Sequence, residues 1–212
     1  MRHSMALQGF RSTTPFPLDR ILRVLCLGIT ALAALADSIP APGNVGGAEY
    51  PRIGSDRSVK FRFKAPEAKR VQLRGGAGLV RDALEFTRGE EGVWTLTTPP
   101  AIPGFHYYWF VVDGVNVNDP SSPGFFGWGR ECGGIEIPEA GADFYALREV
   151  PHGTVRTHWY FSRITGQWRR TLVYTPPDYD RSPTAAYPVL YLQHGAGENE
   201  RGWMEQGRAG FI

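Results

Sequence analysis

At 212 residues, with 42% hydrophobic and 13% aromatic side chains, the chain can hold one ordinary domain or two small ones around a packed core. A formal charge of +2 with no Lys/Arg cluster excludes a nucleic-acid binder, which needs a cationic surplus to displace the counterions of phosphate. Five scattered histidines and two cysteines without ligand-pair spacing argue against a structural metal, and no cofactor is implied.

Residues 1–36 read as an export signal. Arg2, Arg11, Arg20 and Arg23 precede an apolar run from Val24 to Ala36, and Ala34-Leu35-Ala36 offers the small residues of a cleavage site before Asp37. At about 1.5 Å per residue the run is too short to cross a roughly 30 Å hydrocarbon core, so no stable membrane anchor is expected and the destination is secreted or periplasmic. Cleavage would remove four Arg and one Asp, moving the balance of basic against acidic residues from 23 and 21 to 19 and 20. Cys26 would leave with the signal, so Cys132 has no disulfide partner and reads as a small, half-buried residue.

Residues 37–48 are rich in proline and glycine and read as a linker. Beyond them, Val59-Lys60-Phe61-Arg62-Phe63-Lys64 alternates apolar with charged residues, the period of a strand with one face in a core. Strands are also predicted at Arg70 to Leu73, Gly92 to Thr97, His106 to Val112 and Ile135 to Ile137. Asp113-Gly114 between Val112 and Val115 is a two-residue hairpin turn. By strand alternation, Tyr107, Trp109 and Val111 fall on one face of the run from His106 to Val112 and are expected to form its core face. Residues 49–138 therefore predict six or seven short antiparallel strands in an immunoglobulin-like β-sandwich. Residues 139–150 read as a second linker.

In residues 151–212, Thr154 to Ser162 and Trp168 to Thr175 flank a short turn. Tyr187 to Gln193 is almost continuously apolar, as suits a strand buried on both faces of a mostly parallel sheet. Directly after it stands His194-Gly195-Ala196-Gly197. Glycines around a small residue let the backbone turn sharply and free N–H groups to point at a ligand oxygen, as an oxyanion hole requires. A dinucleotide fingerprint is the rival, but Glu200 stands where its third glycine belongs. His194 is read as loop support and Trp203 as core, while Glu198 and Glu200 read as charges near a helix N-terminus.

The residues from Trp168 to Tyr179, the run from Tyr187 to Glu200 and the pair Gly202-Trp203 resemble the opening of esterase D-like and feruloyl-esterase-type carbohydrate esterases. That resemblance implies an α/β-hydrolase with a nucleophilic serine, removing feruloyl or acetyl groups from xylan-type polysaccharide. Upstream, Val59 to Pro66, Gly92 to Leu96 and Gly104 to Gly114 are similar to early-set modules of the glycogen-binding CBM48 type, which implies a storage α-glucan as an alternative partner.

Aromatic residues Phe125, Phe126 and Trp128 lie in a glycine-rich segment. They are candidates for stacking on sugar rings or for contact with the neighbouring hydrolase segment, and the latter is favoured. No Gly-x-Ser-x-Gly occurs, so no catalytic serine, acid and histidine can be assigned. The expectation is a mainly β chain: a sandwich, then the truncated start of an α/β-hydrolase at residues 151–212, inactive alone. A secreted carbohydrate-binding module is the alternative. Nothing in the sequence sets the oligomeric state.

Overall fold

The computed structural model describes residues 37–212, so the expected signal at 1–36 lies outside the described residues. Two antiparallel sheets pack face to face as a β-sandwich. The first has the order β1 (Ser38–Pro40), β2 (Arg52–Gly54), β3 (Val59–Lys64), β7 (Val93–Thr97), β6 (Thr87–Arg88). The second runs β10 (Phe125–Gly127), β11 (Arg130–Ile137), β8 (Gly104–Val112), β4 (Val71–Gly75), β5 (Leu84–Glu85), with β9 (Val115–Val117) also paired to β8.

Alternation decides which side chains meet between the sheets. Val59 and Phe61 of β3, Val71 and Leu73 of β4, Tyr108 and Phe110 of β8 and Ile135 and Ile137 of β11 are buried there. Phe61, Phe63 and Phe86 surround Phe110 at ring distances of 6.0, 5.0 and 5.3 Å. Lys60 and Lys64 bracket these inward positions on the opposite face of β3. Asp113 and Gly114 take φ of 48° and 87°, the positive pair a two-residue hairpin needs, and Val112 pairs with Val115.

Three features depart from the sequence reading. Ser38–Pro40, within the stretch read as a linker, pairs with Arg52–Gly54, and Ala41 enters the core. Arg52 holds the strand by donating from Nε to the Ser38 hydroxyl at 3.1 Å. On β8 the core face is Tyr108 and Phe110; Tyr107 and Trp109 point the other way. The physical reason is pairing: Phe110 stands opposite Leu73 and Val112 opposite Val71, whose neighbours Arg70, Gln72 and Arg74 cannot be buried. Finally, residues 187–193 form no strand, and Tyr191 is 89% exposed. A strand buried on both faces requires ladder partners on each side, and the described residues supply none there.

Beyond the sandwich, β12 (Thr154–Ser162) and β13 (Gln167–Thr175) form a separate two-stranded ribbon, and a short helix, α1, spans Gly202–Glu205. Residues near 145 and 195–208 lie against the outer face of the second sheet. Arg208 forms an ion pair with Glu136 of β11, and its guanidinium sits 5.4 Å from the Tyr145 ring. A cavity of about 280 Å³ remains there, lined by Phe105, Phe125, Glu136, Tyr145, Glu205 and Arg208 among others.

Candidate active-site loop

The glycine loop His194–Gly197 is held at both ends. Gly197 has φ of 81°, which an L side chain adopts only with strain, and its carbonyl accepts the Gly129 N–H at 2.8 Å. A Cβ on Gly197 would stand 2.9 Å from the Gly129 nitrogen and 3.2 Å from Trp128 Cα, so glycine is required by space as well as by φ. At the other end, the Gly195 N–H donates to Glu198 Oε2 at 3.0 Å. The Gly195 carbonyl accepts the Glu198 N–H at 3.3 Å and lies 2.9 Å from His194 Nδ1. With a carbonyl as partner, Nδ1 carries the proton, and His194 braces the loop rather than facing a nucleophile.

Between these anchors, the N–H groups of Ala196 and Gly197 have no protein partner among the described residues, and the loop is exposed. Two neighbouring free amides in a backbone fixed on either side are suited to a negatively charged oxygen. Gly195 is not such a donor here, because Glu198 already occupies its N–H.

The aromatic segment lies beside this loop. Phe125 belongs to β10 and packs edge-on against Phe105 at 4.9 Å. The Phe126 carbonyl accepts from Gln206 Nε2 at 3.4 Å. Trp128 occupies the turn between β10 and β11 with φ of 58°; it is 59% exposed and its ring meets Trp109 at 5.7 Å. Trp109, only 9% exposed, leaves its indole N–H without a partner, and the Arg130 guanidinium covers its ring at 5.2 Å. The chain therefore brings Trp128 to the glycine loop and keeps Phe125 in the contact between the sheet and the segment that covers it.

The remaining candidates are dispersed. Glu198 and Glu200 take separate partners: Glu200 pairs with Arg170 of β13, whose guanidinium lies 5.5 Å from the Trp159 ring. Trp203, expected in the core, is 43% exposed and donates its indole N–H to the Gln193 carbonyl at 2.9 Å. His106 and His152 each lie against a backbone carbonyl, of Ile102 and Arg148, and His158 stacks on Tyr160. Among the described residues no cluster of three or more His, Cys, Asp or Glu could hold a metal, and no helix is long and apolar enough to cross a membrane. Cys132 is buried and free, and burial pushes its thiol up.

The sequence reading missed Tyr107, Glu198 and Gln206 as a group. Tyr107 donates its hydroxyl hydrogen to Glu198 Oε1 at 2.6 Å, and Gln206 Nε2 donates to the Tyr107 oxygen. The signal was present in the outward register of β8, had the facing strand been used to fix it.

No family model matches this sequence. The chain is 43% identical over 181 residues to a protein of Xylanibacter ruminicola named endo-1,4-beta-xylanase/feruloyl esterase; the match covers 83% of this chain and 25% of that protein. The chain thus spans about a quarter of the length of this carbohydrate-active relative. Among solved structures, the enterobactin esterase of Shigella flexneri matches with a TM-score of 0.44 at 17% identity, over 54% of this chain and 39% of that one. The type I pullulanase of Bacillus subtilis matches with a TM-score of 0.33 at 16% identity, over 46% and 14%. Likeness at these scores carries no weight for function.

Proposed function

We propose that the chain is the leading part of a secreted carbohydrate esterase that removes feruloyl or acetyl groups from a xylan-type polysaccharide. In this reading residues 151–212 open an α/β-hydrolase, and the amides of Ala196 and Gly197 hold the oxygen that becomes negative as the ester carbonyl is attacked. The single observation that carries it is that pair of unpartnered N–H groups in a loop fixed at both ends. The similarity to a protein named xylanase/feruloyl esterase supports a polysaccharide ester as the substrate class. An attacking serine with its histidine and orienting acid is not assigned between Met1 and Ile212, where no serine elbow occurs.

The test is hydrolysis of methyl ferulate and of acetylated xylan by two polypeptides: the 212-residue chain, and the same chain continued into a hydrolase with a serine elbow. Turnover by the longer protein alone, blocked by a serine-directed inhibitor, is expected. Equal turnover by the 212-residue chain would overturn the reading.

A second reading is favoured by Trp128, which is 59% exposed beside Trp109. A flat indole face at the surface suits stacking on a pyranose ring, the contact a carbohydrate-binding module makes. Retention on insoluble xylan, lost on Trp128→Ala, would support a binding role alongside the esterase. Retention on starch instead would point to a storage glucan.

A further inference from the structure

The loop's two anchors both come from the sandwich. One is the turn between β10 and β11, through Gly129. The other is Tyr107 of β8, which reaches Glu198 across 91 positions of sequence. The Glu198 carboxylate is the joint: one oxygen accepts from Tyr107 at 2.6 Å, the other from the Gly195 N–H at 3.0 Å. Gln206 Nε2 donates to the Tyr107 oxygen and also reaches the Phe126 carbonyl.

Peptide groups are planar, so each anchored amide or carbonyl fixes a whole plane. Glu198 and Tyr107 fix the plane between residues 194 and 195, and Gly129 fixes that between 197 and 198. The plane that carries the Ala196 N–H is held through the Gly195 carbonyl, which accepts from the Glu198 N–H and from His194 Nδ1, and the plane that carries the Gly197 N–H is suspended between anchored neighbours. Gly127 makes room for this arrangement: a Cβ there would stand 2.5 Å from Tyr107 Cζ.

We propose that Tyr107 and Glu198 are positioning residues for the Ala196 and Gly197 amides, so that the sandwich is a built-in support of the ester-cleaving site. This role rests on the esterase reading above, but the linkage itself does not. The tyrosine is kept as a donor throughout: burial, and then the neighbouring Glu198 carboxylate, push its hydroxyl well above the ordinary tyrosine range. A glutamate suits the joint because an ionised carboxylate offers acceptors on two oxygens at once.

The experiment is backbone amide hydrogen exchange by NMR on the whole chain, comparing the parent with Tyr107→Phe, Glu198→Ala, Glu198→Gln and the Tyr107→Phe/Glu198→Ala double variant. Gly195 should exchange about tenfold faster in Tyr107→Phe and in Glu198→Ala, the loss expected when a hydrogen bond to a charged group is removed. The double variant should exchange no faster than Glu198→Ala, since both changes break one chain of bonds. Glu198→Gln, which keeps an acceptor oxygen, should restore protection. The amides of the β8–β11 ladder should not change, whereas a general loss of stability would speed them too. Unchanged Gly195 exchange in Tyr107→Phe, effects that multiply in the double variant, or loss of ladder protection would each overturn the proposal. No ester is present in this measurement, so its failure is distinguishable from failure of the esterase assay.

Discussion

Tyr107 and Tyr108 are sequence neighbours with opposite surroundings, and the difference defines what each does. Tyr108 is fully buried between the sheets and donates to Asp119 Oδ2 at 2.8 Å, while Asp119 Oδ1 accepts the Ser121 N–H at 2.8 Å. Burial raises the Asp119 carboxyl above the ordinary carboxylate range, against the pull of these hydrogen bonds. Because the folded state then binds the proton more readily than the unfolded chain, this group's contribution to stability is full below the unfolded-state value and is lost as pH rises through the folded-state one. Asp119→Asn should therefore flatten the fall in melting temperature as pH rises above the ordinary aspartate value of about 4, read by thermal unfolding at several pH values. An unaltered slope would mean that Asp119 is not the titrating group. Tyr108→Phe leaves a buried carboxylate oxygen without its donor and should cost about 1–3 kcal/mol in urea unfolding.

Among the elements, β8 buries Tyr108 and Phe110 fully in the core, whereas the ribbon β12–β13 buries no apolar side chain. Phe110 is fully buried against Phe61, Phe63 and Phe86, so Phe110→Ala should destabilise the sandwich by about 3–5 kcal/mol in urea unfolding. The ribbon pairs nine residues with nine, yet Trp159, Phe161 and Trp168 remain exposed. A two-stranded ribbon with apolar side chains in water is marginal and prone to associate. Trp168→Ser should reduce light scattering at high protein concentration without lowering the melting temperature of the sandwich. The glycine loop sits between these extremes. Gly197→Ala combines a strained φ with a contact against the Gly129 nitrogen, and should release the loop, raising Gly129 amide exchange while the β8–β11 ladder is unchanged.

At the scale of the molecule, the sandwich was legible in the sequence because polar and apolar residues alternate cleanly in Val59–Lys64 and because Asp113-Gly114 can take the positive φ its hairpin demands. The face of β8 was not, since aromatic residues occupy both sides of that strand and alternation alone cannot rank them. Its register follows from β4, where Val71 and Leu73 are flanked by charged or amide side chains. The glycine loop was legible as a motif, but its supports come from residues 91 positions away and from the turn at Gly129, contacts that no local pattern encodes. The run at 187–193 misled because apolar content specifies a buried strand only when neighbouring strands are there to pair with it. With exposed Arg163 and Arg181 flanking unpaired segments, trypsin should cut there before it breaches β8 or β11, leaving a resistant sandwich. Earlier cuts within the sandwich would contradict the division of stability described here.

Removing a single donor from the loop separates an oxyanion role proposed for the Ala196 and Gly197 amides from a purely structural one. In the extended, active polypeptide, kcat for methyl ferulate should be compared between Ala196→Pro, which has no N–H, and Ala196→Gly, which keeps it. A fall of about 10²–10³-fold in kcat for Ala196→Pro, with Ala196→Gly near the parent, is the predicted result. Equal kcat for the two variants would contradict it.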